Sequence, residues 1–140
     1  MTTHSDFEPH GWKCIKIGVD SCAAESVTPP DIFPSPIEAT GRVGEEYTCA
    51  NDTAIYNKGQ QTVSGYTDDY VLVSSRFQVT DVNKPLMSVY SARDNDNTLL
   101  YSKKYGDWII NDLTGSATRM IEEHNTFHLP LWVPTFQRPA

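Results

Sequence analysis

From Ile37 onward the chain is a succession of short β-prone runs set between turn residues, and this alternation limits the fold more than any other feature. Arg42 to Cys49 and Ala54 to Asn57 are candidate strands, the second closed by Lys58-Gly59. Asp69 to Thr80 is the strongest β segment. Val71, Val73 and Ser75 share one face there, whereas Tyr70, Leu72, Arg76 and Gln78 do not make a clean opposite one. A bulge near Ser74-Ser75 and an unbroken strand both keep Phe77 and Val79 in phase, so the register stays open. Met87 to Ser91 and Thr98 to Ser102 flank the turn-forming run Arg93-Asp94-Asn95-Asp96-Asn97. Tyr105-Gly106-Asp107 then leads into Trp108 to Asn111. Asp and Asn hydrogen-bond their own backbone and tolerate left-handed conformations, which makes these runs hairpin turns and the three strands a meander.

The fold expected is mainly β: an antiparallel twisted sheet or small sandwich with one short C-terminal helix. That helix is placed at Ser116 to His124, started by Gly115-Ser116 and with Met120 and Ile121 on its apolar side. The alternative is an α+β cone-like pocket fold, with the helix packed on a curved sheet over a cavity.

Upstream, residues 1–10 are a polar arm. Trp12 to Val19 reads as a strand with Ile15, Ile17 and Val19 on one face and Trp12 and Cys14 on the other. Ser21 to Ser26 is small enough in its side chains for one helical turn. Thr28 to Pro36 carries four prolines in nine residues and is expected to run extended over the surface, because proline removes a donor and fixes φ. The tail Leu129-Pro130-Leu131-Trp132-Val133-Pro134-Thr135-Phe136 is apolar but broken by proline. It is expected to be an extended arm. The division is therefore 1–36 as arm, strand and proline-rich connector, 37–128 as β-rich core and 129–140 as C-terminal arm, all within a single domain.

Composition narrows the function classes. The net charge is −7, from 11 basic and 18 acidic residues, with no basic run. A phosphate backbone or an anionic lipid surface needs clustered Lys and Arg, so neither nucleic acid nor membrane insertion is expected. No stretch approaches the roughly 20 apolar residues of a membrane helix. Residues 1–10 hold no signal-peptide pattern, and localisation is left undetermined. The three cysteines, Cys14, Cys22 and Cys49, do not form a disulfide framework. Three reduced thiols are the favoured reading, one bridge plus a free thiol the alternative.

The stretch Val82-Asn83-Lys84-Pro85, Val89-Tyr90-Ser91, Leu99-Leu100-Tyr101, Gly106-Asp107-Trp108-Ile109-Ile110 and Gly115 resembles a short hairpin repeat found in many uncharacterised proteins of marine eukaryotes and their viruses. The resemblance covers about a quarter of the chain and implies a packing unit in an interaction protein, with no chemistry attached. Lys84 and Leu86-Met87 depart from the repeat, which has Gly-Arg and Val there. On this reading Tyr90, Tyr101 and Trp108 stack across three adjacent strands, each cross-strand pair contributing roughly 0.2–1 kcal/mol.

Candidate chemistry is sparse. His124 and His128 stand four apart after Glu122-Glu123, the helical spacing of two zinc ligands. The metalloprotease helix places Glu directly after the first His, and Pro130 ends the helix near Asn125, so an exposed helix end and a loop histidine are expected instead. Asp94, Asp96 and Thr98 mimic the first ligands of a calcium loop. Leu99 and Tyr105 stand where Gly and a bidentate Glu are required, which makes this a polar hairpin tip. Asp68-Asp69 reads as a solvated edge or turn. Asn51-Asp52-Thr53 is a glycosylation sequon. Cys49 with His124 or His128 is a conceivable nucleophile pairing, though any cysteine can be matched with some histidine, and Gly41-Arg42-Val43-Gly44 is too short for a phosphate loop and lacks a following helix.

No catalytic residue, cofactor or metal is assigned. The function expected is a non-enzymatic interaction or structural module, part of an oligomer or larger assembly, with protein as partner. Trp132, Phe136 and Leu131 of the arm are the candidate partner-binding residues. The alternative is a small-ligand-binding or enzymatic pocket protein, for which a cavity of about 300 Å³ or more with convergent polar groups is the mark.

Overall fold

The structure, a computed structural model, describes residues 11–48 and 52–135. Among them are twelve strands and one helix. The strands are β1 (Trp12–Asp20), β2 (Val27–Thr28), β3 (Glu46–Thr48), β4 (Ala54–Tyr56), β5 (Gly59–Tyr66) and β6 (Leu72–Val79). After them come β7 (Leu86–Ser88), the helix α1 (Val89–Asp94), β8 (Asn97–Ser102) and β9 (Gly106–Asn111). The last three strands are β10 (Ala117–Arg119), β11 (Ile121–Glu123) and β12 (Thr126–Pro134). The protein is mainly β, as the alternation of runs and turns implies. No helix of the described residues is long and apolar enough to cross a membrane.

The largest sheet is mixed and closes on itself. β1 pairs antiparallel with β12 from Trp12–Pro134 to Gly18–His128, and parallel with β7 from Gly18–Leu86 to Asp20–Ser88. β7 pairs with β2, β2 runs parallel to β6, and β6 pairs antiparallel with β5 along its whole length. β5 meets β12 at Tyr66 and Trp132. The ring β1-β7-β2-β6-β5-β12 thus returns to β1, and β11 hangs from β12 outside it. Closure gives each strand of the ring a neighbour on both sides for at least part of its length.

Alternation along each strand decides what lies inside. Ile17 of β1, Val63 of β5, Phe77 of β6, Met87 of β7 and Leu129, Leu131 and Val133 of β12 form one buried cluster, with Ile15, Val19 and Val73 packed against it. β6 carries no bulge: Val73, Ser75, Phe77 and Val79 face inward opposite Gly65, Val63, Gln61 and Gly59.

Four sequence expectations are corrected. The proline-rich stretch does not stay on the surface. Val27-Thr28 is a strand, and the prolines after it aim Ile32 and Phe33 into the core, where Phe33 is buried with its ring 5.2 Å from that of Phe77. The Gln61 side-chain amide fixes this plug, its Nε2 donating to the carbonyls of Phe33 and Ser35. Second, Ser116 to His124 is not helical. β10 and β11 occupy it, and His124 and Asn125, at φ 51° and 64°, form the two-residue turn from β11 into β12. Left-handed values at both central positions mark the hairpin turn whose twist suits its strands. Third, the helix forms at Val89–Asp94 instead, because the Ser88 hydroxyl accepts from the Ser91 amide and caps it. Tyr90 therefore rides an exposed helix, and the three-stranded sheet is β10-β9-β8, with Ala117–Arg119 as the third strand. Fourth, residues 129–134 are no arm but most of β12.

Candidate functional site

The prolines of β12 explain how an apolar, proline-broken segment becomes a central strand. Thr135 N donates to the Gly11 carbonyl on the β1 side. By alternation, Val133 and Leu131 aim their amides at β1 also, and Pro130 and Pro134 face the opposite edge. That edge is paired only up to His128, by β11, and at Trp132, by β5. The missing proline donors therefore leave no gap in the ladder. Leu131 and Trp132 are consequently among the most buried residues, and the Trp132 indole donates to Asp68 at 2.8 Å. Neither side chain is available to a partner in this fold. Phe136 lies outside the described residues.

The remaining candidates disperse. His124 is exposed at its turn, while His128 sits on β12 opposite Ile121 and Gly18, half-buried. Its Nδ1 is buried without a hydrogen-bond partner, and burial, reinforced by nearby Lys84, pushes the imidazole pKa down. Glu123 is drawn to Lys16 across the sheet at 2.6 Å, which lowers the carboxyl pKa and raises that of the ammonium. No group of three or more His, Cys, Asp or Glu is gathered for a metal among the described residues. Thr98 donates to Asp112, and Asp96 turns the chain at φ 65° from α1 into β8, so the run joins a helix to a strand and is not the hairpin tip expected. Asp68 and Asp69 do lie in a turn. Each ties a different element, Asp68 holding Trp132 and Asp69 accepting from the Arg119 amide at 3.1 Å. Cys22 is exposed, Cys14 is half-buried on β1, and Cys49 and Asn51 are outside the described residues.

What the structure brings together was not foreseen in the sequence. β6 is paired with β5 at every position but with β2 only at Gln78 and Val79. Gln78 N donates toward β2, to the Ser26 carbonyl. Two and four residues earlier, Arg76 and Ser74 aim their amides and carbonyls the same way. None of these four groups meets a main-chain or side-chain partner among the described residues. The barrel wall is open here, and a cleft of about 670 Å³ lies along the edge. Ser91 and Ala92 of α1 and its C-cap Asn95 line it, as do Met87 and Leu129 of the core.

Electrostatics distinguish one side chain in this cleft. Glu25 is held by Arg42 in a two-pronged pair, with Nη2–Oε2 at 2.8 Å, and Glu45 is held by the same guanidinium at 2.7 Å. These contacts raise the Arg42 pKa and lower that of Glu45. Arg76, the other cation of the cleft, has neither an ion pair nor a hydrogen bond among the described residues. Its exposed guanidinium stands on the outer face of β6, across from Thr62 and two residues from Ser74. The signal that could have marked it is plain: Arg76 is the one charge within Tyr70 to Thr80. The open edge beside it depends on how short β2 and β7 are, which no local pattern announces.

The cleft's ionisable groups are thus two arginines and a glutamate already paired. Among the cleft's lining residues these are the charged groups, and Arg42 and Glu25 hold each other. Comparison with protein-family models, with curated proteins and with solved structures returned no match.

Proposed function

We propose that this protein is a non-enzymatic interaction module whose partner seats in the cleft along β6. The observation that carries the reading is the open strand edge, where unused main-chain donors and acceptors line a cavity that also holds an unpaired arginine. Such an edge is what an interaction domain offers an incoming chain. The earlier candidate anchors, Leu131 and Trp132, move from partner-binding to core, so the interface shifts from the C-terminal segment to the barrel window. The partner expected is protein, in a larger assembly. Selection of displayed random peptides on the full chain, followed by mapping of the selected peptides through amide chemical shifts, tests this. Shifts concentrated on β6 and α1 support the reading; shifts concentrated elsewhere overturn it.

The volume of the cleft favours a second reading. About 670 Å³ falls within the range of small-molecule sites. A screen of small polar anions against the same amides separates the two: a saturating small ligand that displaces every selected peptide would make the peptide secondary.

A further inference from the structure

We propose that the cleft takes an extended acidic peptide, which adds to β6 as a further strand and sets a carboxylate against the Arg76 guanidinium. The inference rests on the cleft being the partner's seat and names the chemistry of that partner.

Three features converge. Leu72 to Arg76 is unpaired on the edge away from β5, a run of about 17 Å at the usual strand rise. Ser74 and Arg76 supply alternate amides and carbonyls along it, the spacing that only another extended main chain matches. A free small anion would satisfy Arg76 and leave those four groups unmatched. Next, the side chains of an added strand alternate between two surroundings. One set lies outward beside Ser74 and Arg76, where a carboxylate meets an unpaired guanidinium and forms the strong, fork-shaped hydrogen bonds of such pairs. The other set faces the wall opening over Met87 and Leu129, where small apolar side chains fit. Finally, Ser91 and Ala92 of α1 line the far side of the cleft, so an added strand would lie between β6 and the helix. A second β6 would bring a second Arg76 beside the first.

The test uses the full chain and a capped six-residue peptide alternating glutamate with valine, titrated by amide NMR and hydrogen exchange. Saturable binding below about 1 mM is expected, with exchange of the Ser74 and Arg76 amides slowed at least about tenfold. N-methylation of one alternate set of peptide nitrogens should abolish binding, and N-methylation of the other set should not. Arg76→Gln should weaken binding about fivefold or more and remove most of its salt dependence, while Arg76→Lys retains part of both. Thermal melts of the two variants establish that they fold. Absence of saturable binding, binding that leaves the Ser74 and Arg76 amides unprotected, or equal affinity for wild type and Arg76→Gln would each overturn strand addition. If displayed peptides nevertheless map to β6 and α1, the cleft remains the seat and only its mode of recognition falls. If they map elsewhere, the seat itself is wrong.

Discussion

Gly65 is the residue on which closure of the barrel most directly depends. It precedes Tyr66, the position through which β5 reaches β12 at Trp132. A Cβ at Gly65 would lie 2.5 Å from the Trp132 carbonyl oxygen, 2.9 Å from Leu131 Cγ and 3.1 Å from Val133 Cγ1. Its φ is not left-handed, so the objection to a side chain is space alone. The nearest atom belongs to main chain that is also paired to β1 through Cys14, and it cannot swing aside as a side-chain tip would. Relief has to come from parting β5 and β12 at their one paired position, which disturbs Leu131 and Val133 in the core.

Overpacking a well-filled interior costs about 1–3 kcal/mol, and a rigid main-chain neighbour puts Gly65→Ala at the upper end of that range. For a chain of this length the melting temperature should fall by about 10 °C. Gly41→Ala is the matched control. Nothing lies within 4 Å of its Cβ position and its φ is not left-handed. It should leave stability unchanged or raise it by up to about 1 kcal/mol through the unfolded state. Thermal melts and urea titrations of both variants read the difference. A Gly65→Ala protein melting within about 2 °C of wild type would refute the argument that β5 and β12 close through this contact.

Three further outcomes are expected. Phe33→Ala should destabilise by about 3–5 kcal/mol in urea, because the ring is buried against Phe77; a loss below about 1 kcal/mol would return the proline-rich stretch to the surface. Asn57→Ala should cost about 2–4 kcal/mol by the same measurement, since the buried amide donates to Tyr47 and Gln78 and accepts from the Gly59 amide. His128, whose pKa is held below that of the unfolded chain chiefly by burial, contributes stability present above about pH 6.5 and lost as pH falls through the native value. Denaturant titrations of wild type and His128→Leu between pH 5 and pH 8 should therefore diverge in slope on the acid side, and parallel curves would contradict the assignment.

The strands were legible wherever alternation and turn chemistry agreed. Trp12 to Val19, Thr98 to Ser102 and the run ending at Thr80 fall on β1, β8 and β6. The misreadings share a cause, which is that pairing decided what local preference could not. Pro130 and Pro134 argue against a strand only if their nitrogens face a partner, and the Thr135–Gly11 bond places them on the other edge. Val89-Tyr90-Ser91 is β-prone by composition, yet one capped turn beginning at Ser88 outweighs that weak preference. Met120 and Ile121 suggested a helical face, but they are adjacent, and His124-Asn125 turns the chain between two strands instead. The candidate site was less legible than the fold. Arg76 is visible in the sequence as a charge within a β run, whereas the open edge beside it arises from strands far apart in the chain.

The opening in the barrel wall has a local origin that links fold to proposed function. β5 and β6 are eight residues each, while β2 and β7, which complete the wall beside β6, are two and three. The pairing path also spirals: on β5 it enters at Gln60 and leaves at Tyr66, and on β1 it arrives at Cys14 and departs from Gly18. Strands so strongly staggered need long neighbours to keep every edge covered. Ahead of β2, the Asp20 carboxylate accepts from the Cys22 amide and turns the chain. β7 cannot continue, because Ser88 starts α1. The same buried Ser88 fixes both ends of the gap: its hydroxyl accepts from Ser91 and donates to the Ala23 carbonyl at 2.7 Å, while its amide donates to Ser26 Oγ at 3.0 Å. One serine thereby caps α1 where β7 ends and anchors the lead into β2, beside the stretch Leu72 to Arg76 that no strand pairs on this edge. The edge that results is built into the closed state of the barrel.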